Sequence, residues 1–332
     1  MMENKICKLF GTETPIIQEP MHTFTNGKMI AAIAEAGALG ILGINSGYKI
    51  QVDATTGASV SNNTEVGDIK KYSILDTMTE RNLMNEQIDA ALENTFRPFA
   101  VEIATVCKTP TDDPTALALV QLMRKRRLTI ALFEGFGQLI SENWVKLLHD
   151  NGIKIMVVVT SSEQAEKAIA RKVDVLIAKT TNLSKIIKIA NDTPIIAGLD
   201  ICTAEDVKNA LNQGADGVYV YTPFAVCDES PVNDQIKYQI LKSVSSELVH
   251  FDTPTKTIYS LPGALPNKLQ EMSNKGIDKN KIFTTANRYQ GLINGMGKAD
   301  LISGYTDIDK NIDAISEKLT AEQLVNNLSK YL

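Results

Sequence analysis

His22 stands directly after Met21, where the apolar run Ile16-Ile17-Gln18 ends in Glu19-Pro20-Met21. A histidine there can take up and return a proton near neutral pH. Glu102 and Glu134 belong to the ends of two further apolar runs. Two carboxyls at strand ends can work as an acid/base pair, or can simply be solvated. Gly135 and Gly137 follow Glu134 and would let a ligand approach the backbone, although turns need glycine as well. Gly198 and Thr222 follow two later runs, where a barrel uses backbone N–H groups to hold phosphate. His149, at a helix end, and His250 read as structural. The four cysteines (Cys7, Cys107, Cys202, Cys227) show no metal or redox spacing.

Short apolar runs alternate with amphipathic stretches and would bring these groups together. The predicted strands cover 16–18, 39–42, 99–103, 129–133, 154–159, 175–177, 194–197 and 217–220. Predicted helices between them include 115–126, 142–151, 162–171 and 204–213. Runs such as Ile155-Met156-Val157-Val158-Val159 are apolar on both faces, as in parallel sheets covered by helices. Eight such units read as a (β/α)8 barrel, an α/β fold that gathers the C-terminal strand ends on one rim. A doubly wound sheet is the rival, disfavoured by the eight-fold count. Residues 45–81 form a long polar insertion. From 228 to about 281 the pattern turns helical and irregular. The reading is a barrel of 1–227 and 296–332, with a helical lid, 228–295, after the eighth strand. The last helix, 321–332, would cap the barrel.

The opening segment, Pro15-Ile16-Ile17-Gln18-Glu19-Pro20-Met21 followed by Ala36-Gly37-Ala38-Leu39-Gly40-Ile41-Leu42-Gly43, resembles the N-terminal signature of the nitronate monooxygenase and enoyl-ACP reductase II family. Arg97-Pro98-Phe99-Ala100-Val101, Phe136-Gly137, Val173 to Ala178, Pro194 to Gly198 and Gly214 to Val218 with Thr222 and Phe224 are similar to its later blocks. The resemblance spans nearly the whole chain. It implies an FMN-dependent TIM barrel that exchanges hydride or electrons with NAD(P)H, oxygen, a small molecule or an acyl thioester. Pro20, Met21, Gly137, Gly198 and Thr222 would then contact the flavin, and His22, Glu102 and Glu134 would line the reacting side.

Departures from the family pattern fall at the rim. The family's glycine-rich loop and its histidine after the sixth strand are replaced by Ala178-Lys179-Thr180-Thr181-Asn182. Its Gly-Gly after the seventh strand is Gly198-Leu199-Asp200, and its Gly-Thr-Arg-Phe is Tyr221-Thr222-Pro223-Phe224. The usual mechanism therefore lacks its histidine, and the phosphate loops are poorer in donors. The insertion contains Asp53-Ala54-Thr55-Thr56-Gly57-Ala58-Ser59, which is similar to the flavinylation motif of FMN-binding domains. That resemblance implies covalent FMN at Ser59 as an alternative to non-covalent binding. The bland reading is a Ser/Thr-rich loop.

The chain has 332 residues, 44% hydrophobic and 22% charged, which suits a globular protein with a large core. A net charge of -5 argues against nucleic acid and anionic membranes as partners. No apolar run approaches the roughly 20 residues of a membrane span. The expectation is a cytoplasmic flavin oxidoreductase with an altered active site, with a homodimer left open. The alternative is a barrel that has lost catalysis and serves as a binding or scaffold protein.

Overall fold

The computed structural model describes residues 4–48, 75–288 and 290–332. Eight parallel strands form one sheet: β1 (Ile16–Gln18), β2 (Ile41–Leu42), β3 (Ala100–Ala104), β4 (Ile130–Glu134), β5 (Lys154–Val159), β6 (Val175–Ala178), β7 (Ile195–Ala197) and β8 (Gly217–Val220). Their spatial order is β1-β8-β7-β6-β5-β4-β3-β2. Leu39 closes the ring: it bridges Ile17, accepts from Gln18 N–H at 2.8 Å and donates to Ile16 O at 2.9 Å. The result is a nearly closed TIM-like barrel, as the alternating pattern predicts.

Strand residues are buried on both faces because side chains of one parity fill the barrel and those of the other meet the helices. Ile17, Ile41, Leu132, Met156, Ile177, Ile196 and Tyr219 form the inner cluster. Ile6 and Phe10 of the helix Lys5–Phe10 join that cluster. Lys154, which begins β5, donates to Leu9 O, so this helix plugs the N-terminal end of the barrel. The opposite, C-terminal rim is left for chemistry. Helix starts carry side-chain caps: Asn26 on Met29 N–H, Ser141 on Trp144 N–H, and a capping box at Thr203 and Asp206.

Two expectations need correction. The helix Thr77–Leu92 begins inside the 45–81 insertion, capped by Asp76. The 228–295 stretch is not wholly helical, because it contains an antiparallel hairpin, β9 (Val249–Asp252) and β10 (Thr257–Ser260). Both strands are four residues long, too short to stand out between the helices Asp234–Lys242 and Ala264–Asn274. The last helix, Ala321–Leu328, packs beside Gly27–Glu35 and Ala204–Asn212 and also meets Thr222–Ala225, directly after β8. No helix among the described residues is long and apolar enough to cross a membrane. Ser59 and its motif lie outside the described residues.

Candidate active site

The turn after β1 fixes His22. Its φ of +48° is left-handed, an unusual conformation for a residue with a side chain. Fully buried Thr25 holds this turn against the β2 end: its hydroxyl donates to His22 O at 2.8 Å and accepts Gly43 N–H at 2.9 Å. A Cβ on Gly43 would lie 2.8 Å from His22 N and Cα, so only glycine fits there. Pro20 and Met21 are buried in the segment leading into the turn.

Glu102 of β3 faces this turn and is only 2% exposed. Its Oε2 accepts Ile44 N–H at 2.9 Å and lies 3.4 Å from His22 Nδ1. That nitrogen is buried without an aligned hydrogen bond, while the side chain as a whole is 39% exposed. The histidine thus presents its outer edge to the rim. Burial pulls the His22 pKa down, but the Glu102 charge beside it, aided by Glu134, outweighs burial and opposing Lys256 and holds it above the ordinary value. Glu134 ends β4, and its Oε1 accepts Phe136 N–H at 2.5 Å. Burial, reinforced by Glu102, pushes the Glu134 carboxyl above the usual range. Three of the residues named from sequence therefore share one charge network: a histidine kept cationic by one carboxylate and a second carboxyl biased toward its acid form. Such a set can donate a proton from one side and accept it on another.

The rim holds further groups that the sequence reading passed over. Lys179 follows β6, and its Nζ lies 2.7 and 2.8 Å from the two carboxylate oxygens of Glu19, which follows β1. Its ammonium also stands 6.0 Å from the centre of the Tyr219 ring. Burial opposes the lysine charge, but Glu19, with Asp309 and Asp307, holds its pKa above the ordinary value. It is a fixed cation, not a nucleophilic amine. A Cβ on Gly198 would come within 3.1 Å of Lys179 Cγ and 3.4 Å of the Tyr219 ring, so this glycine makes room for the lysine. From the hairpin, Lys256 pairs with Asp307 at 2.5 Å and lies 5.8 Å from the Tyr221 ring centre. Glu19 and Lys179 could have been found by their positions at strand ends. Lys256 belongs to an insertion whose placement the pattern did not give.

Thr222 is fully buried and is not free to meet a ligand. Its N–H donates to Asp309 Oδ2 at 2.9 Å, and Asp309 N–H donates to Thr222 Oγ1 at 2.6 Å. Asp200, with φ of +54° after β7, accepts from the backbone of Lys310. Gly137 has φ of +84° and nothing within 4 Å of an added Cβ, so it marks open rim. A cleft of about 240 Å³ opens between the β6 and β7 loops, lined by Thr180, Thr181, Asp200, Asn209 and Gln213; His22, Glu102 and Glu134 are not part of it.

The sequence profile of nitronate monooxygenase matches residues 3–330. The chain belongs to the nitronate monooxygenase family. A nitronate monooxygenase of Pseudomonas aeruginosa is 23% identical over 268 residues, covering 70% of this chain and 72% of that one. One from Paraburkholderia phytofirmans is 23% identical over 266 residues, covering 70% and 69%. Among solved structures, FabK from Thermotoga maritima matches with a TM-score of 0.76 at 21% identity, over 99% of this chain and 96% of its own. A nitroalkane oxidase from Streptomyces ansochromogenes matches with a TM-score of 0.71 at 18% identity, over 98% and 97%. These similarities give the fold of the family's flavin oxidoreductases, and FMN is the cofactor the family typically uses.

The described residues do not fit a phosphate between the β7 and β8 loops. The Thr222 amide is already donated to Asp309, and a second carboxyl, Asp200, is coupled electrostatically to Asp309. Backbone donors and positive charge favour phosphate; two carboxylates oppose it.

Proposed function

We propose that this chain is an oxidoreductase of its family with a rearranged active site, acting on a small carbon acid or an acyl thioester. The observation that carries this reading is the His22–Glu102–Glu134 network at the barrel rim. His22 and Glu134 would exchange protons with substrate at the exposed edge of the mouth, while Glu102 keeps the imidazole charged and oriented. When bound, a flavin supplies the redox chemistry, with NAD(P)H a candidate donor, and the protein supplies orientation and proton handling. The flavin would be held in a way that does not need the β7 and β8 amides. Attachment through phosphate at Ser59 meets that requirement, because the phosphate then sits on the insertion. Co-expression with a flavin transferase and intact-protein mass, compared with Ser59→Ala, test this point. An unmodified mass in both rejects the tether.

The reading as a whole is tested by the absorbance of purified protein near roughly 450 nm and by turnover of nitronates and enoyl thioesters with and without NAD(P)H. Turnover that falls by about 10²–10⁴-fold in His22→Asn or Glu134→Gln supports it. A second reading, a barrel that binds without catalysing, is favoured by the Lys179–Glu19 pair and the Asp309–Thr222 contact, which both fill rim positions. Colourless protein that ignores added flavin and turns over none of these compounds supports that reading.

A further inference from the structure

Residues 305–310 are built into the rim rather than trailing past it. Ile308 N–H donates to Tyr259 O at 3.1 Å, which adds this segment to the edge of the β9–β10 hairpin. Thr306 hydroxyl accepts Leu261 N–H at 2.9 Å, and Thr306 N–H donates to Ser260 Oγ at 3.0 Å. Asp307 is paired with Lys256. The segment is thereby fixed on one side, and its other side delivers Asp309 to Thr222 and the Lys310 backbone to Asp200. The loops after β7 and β8 are therefore tied to one dipeptide by carboxylate-to-amide bonds. In a (β/α)8 barrel those two loops are where backbone amides commonly receive a phosphate. Here the acceptor comes from the chain itself: the Asp309 carboxyl, which burial pushes above the usual carboxylate range while Lys179 and the Thr222 hydrogen bonds pull it back.

We propose that Asp309 is a specificity-determining residue that occupies the phosphate position between the β7 and β8 loops and excludes phosphorylated ligands from it. The Thr222 amide has one hydrogen and cannot serve Asp309 and a phosphate together. A phosphate at the Thr222 amide would also meet the Asp309 carboxyl, to which Asp200 is electrostatically coupled. Lys179 and Lys310 offset this charge only in part: Lys179 acts on both carboxyls and Lys310 on Asp200, but the Lys179 ammonium is paired directly with both oxygens of Glu19. A flavin or other ligand that enters this mouth is selected for its ring and not for its phosphate. The inference concerns ligand choice alone and holds whether or not the barrel turns over substrate.

Titration with FMN and with riboflavin, which differ only by the phosphate, tests it. In wild type the two dissociation constants should agree within about threefold; in Asp309→Asn and Asp309→Ser, FMN should gain at least about tenfold over riboflavin. Folding of the variants is checked by circular dichroism. A wild type that prefers FMN tenfold or more, or folded variants with no gain for FMN, overturns the proposal; variants that newly bind FMN support it even if wild type binds neither flavin. A measurement on wild type alone stands beside these: the Thr222 amide resonance should not move with excess inorganic phosphate, and a saturating shift overturns the proposal. Absence of turnover in wild type, with these ratios as expected, would count against the activity proposed above and not against this exclusion.

Discussion

Lys179 at the end of β6 reaches across the barrel mouth to Glu19 at the end of β1 and meets both of its carboxylate oxygens. The two side chains are 24% and 16% exposed. Removing one member leaves the other charge with little solvent to replace its partner. Lys179→Met should therefore cost about 2–4 kcal/mol, somewhat less than the roughly 3–5 kcal/mol of fully buried pairs because water retains some access. The double variant Lys179→Met, Glu19→Gln should recover part of that loss. Urea unfolding of wild type, single and double variants measures it, and a double variant as unstable as the sum of the singles would show that the pair is not coupled.

The charge on His22 should depend on Glu102. Glu102→Gln keeps an acceptor for Ile44 N–H but removes the negative charge 3.4 Å from Nδ1. Burial then dominates, and the His22 pKa should fall from above its ordinary value to or below it. With three histidines in the chain, NMR titration of the imidazole resonances can follow this one directly. The sign for stability follows. A raised pKa means that the stabilisation by protonated His22 is complete below roughly pH 6.5 and fades as pH rises through the folded value. Glu102→Gln should flatten that dependence above roughly pH 6.5.

Glu134→Gln should separate stability from catalysis. The folded carboxyl titrates above the ordinary range, so it favours folding fully only below the unfolded value of about 4.3 and loses that benefit as pH rises through its own pKa. Glutamine stays neutral and can still accept Phe136 N–H. The variant should match wild type at low pH and be the more stable at pH 8, while turnover falls by about 10²–10⁴-fold. A variant less stable than wild type at every pH would show that the carboxyl is structural.

The turn that carries His22 should fail in two distinct ways. Thr25→Val removes the acceptor of Gly43 N–H and the donor to His22 O, both in the interior. Leaving those groups unpaired should cost about 1–3 kcal/mol. Gly43→Ala pushes a methyl against His22 backbone atoms that cannot move aside as a side-chain tip would. That overpacking should cost about 1–3 kcal/mol and shift the imidazole from Glu102. The check is thermal unfolding alongside the His22 titration, and a His22 pKa unchanged in both variants would separate the turn from the site.

Much of this rim was legible because strand ends are legible. The apolar runs place Gln18, Glu102, Glu134 and Ala178 within a residue or two of the observed ends, so His22, Glu102 and Glu134 could be named as neighbours from their rank along the barrel. The same rule applied to Glu19 and Lys179 gives the cross-mouth pair; each was passed over because its neighbours carried the stronger family pattern. Asp309 was not legible. It lies 87 residues after Thr222, beyond a hairpin whose path no periodicity encodes. Thr222 and Gly198 read as phosphate contacts for the same reason: sequence shows which groups line a loop but not which in-chain partner already satisfies them. Gly198 instead admits Lys179, and Thr222 holds Asp309.

The Asp309–Thr222 contact also sets an order of events during synthesis. The eighth strand ends at Val220, so every strand of the barrel is synthesised before Asp309. The intervening 87 residues take on the order of 4–20 s at about 5–20 residues per second. For that interval the Thr222 amide lacks the acceptor it has in the finished protein, and a barrel closed that early would leave the place to a passing anion. The ribosome-bound chain and the released protein would then differ in what they can bind, with the emergence of one aspartate marking the change.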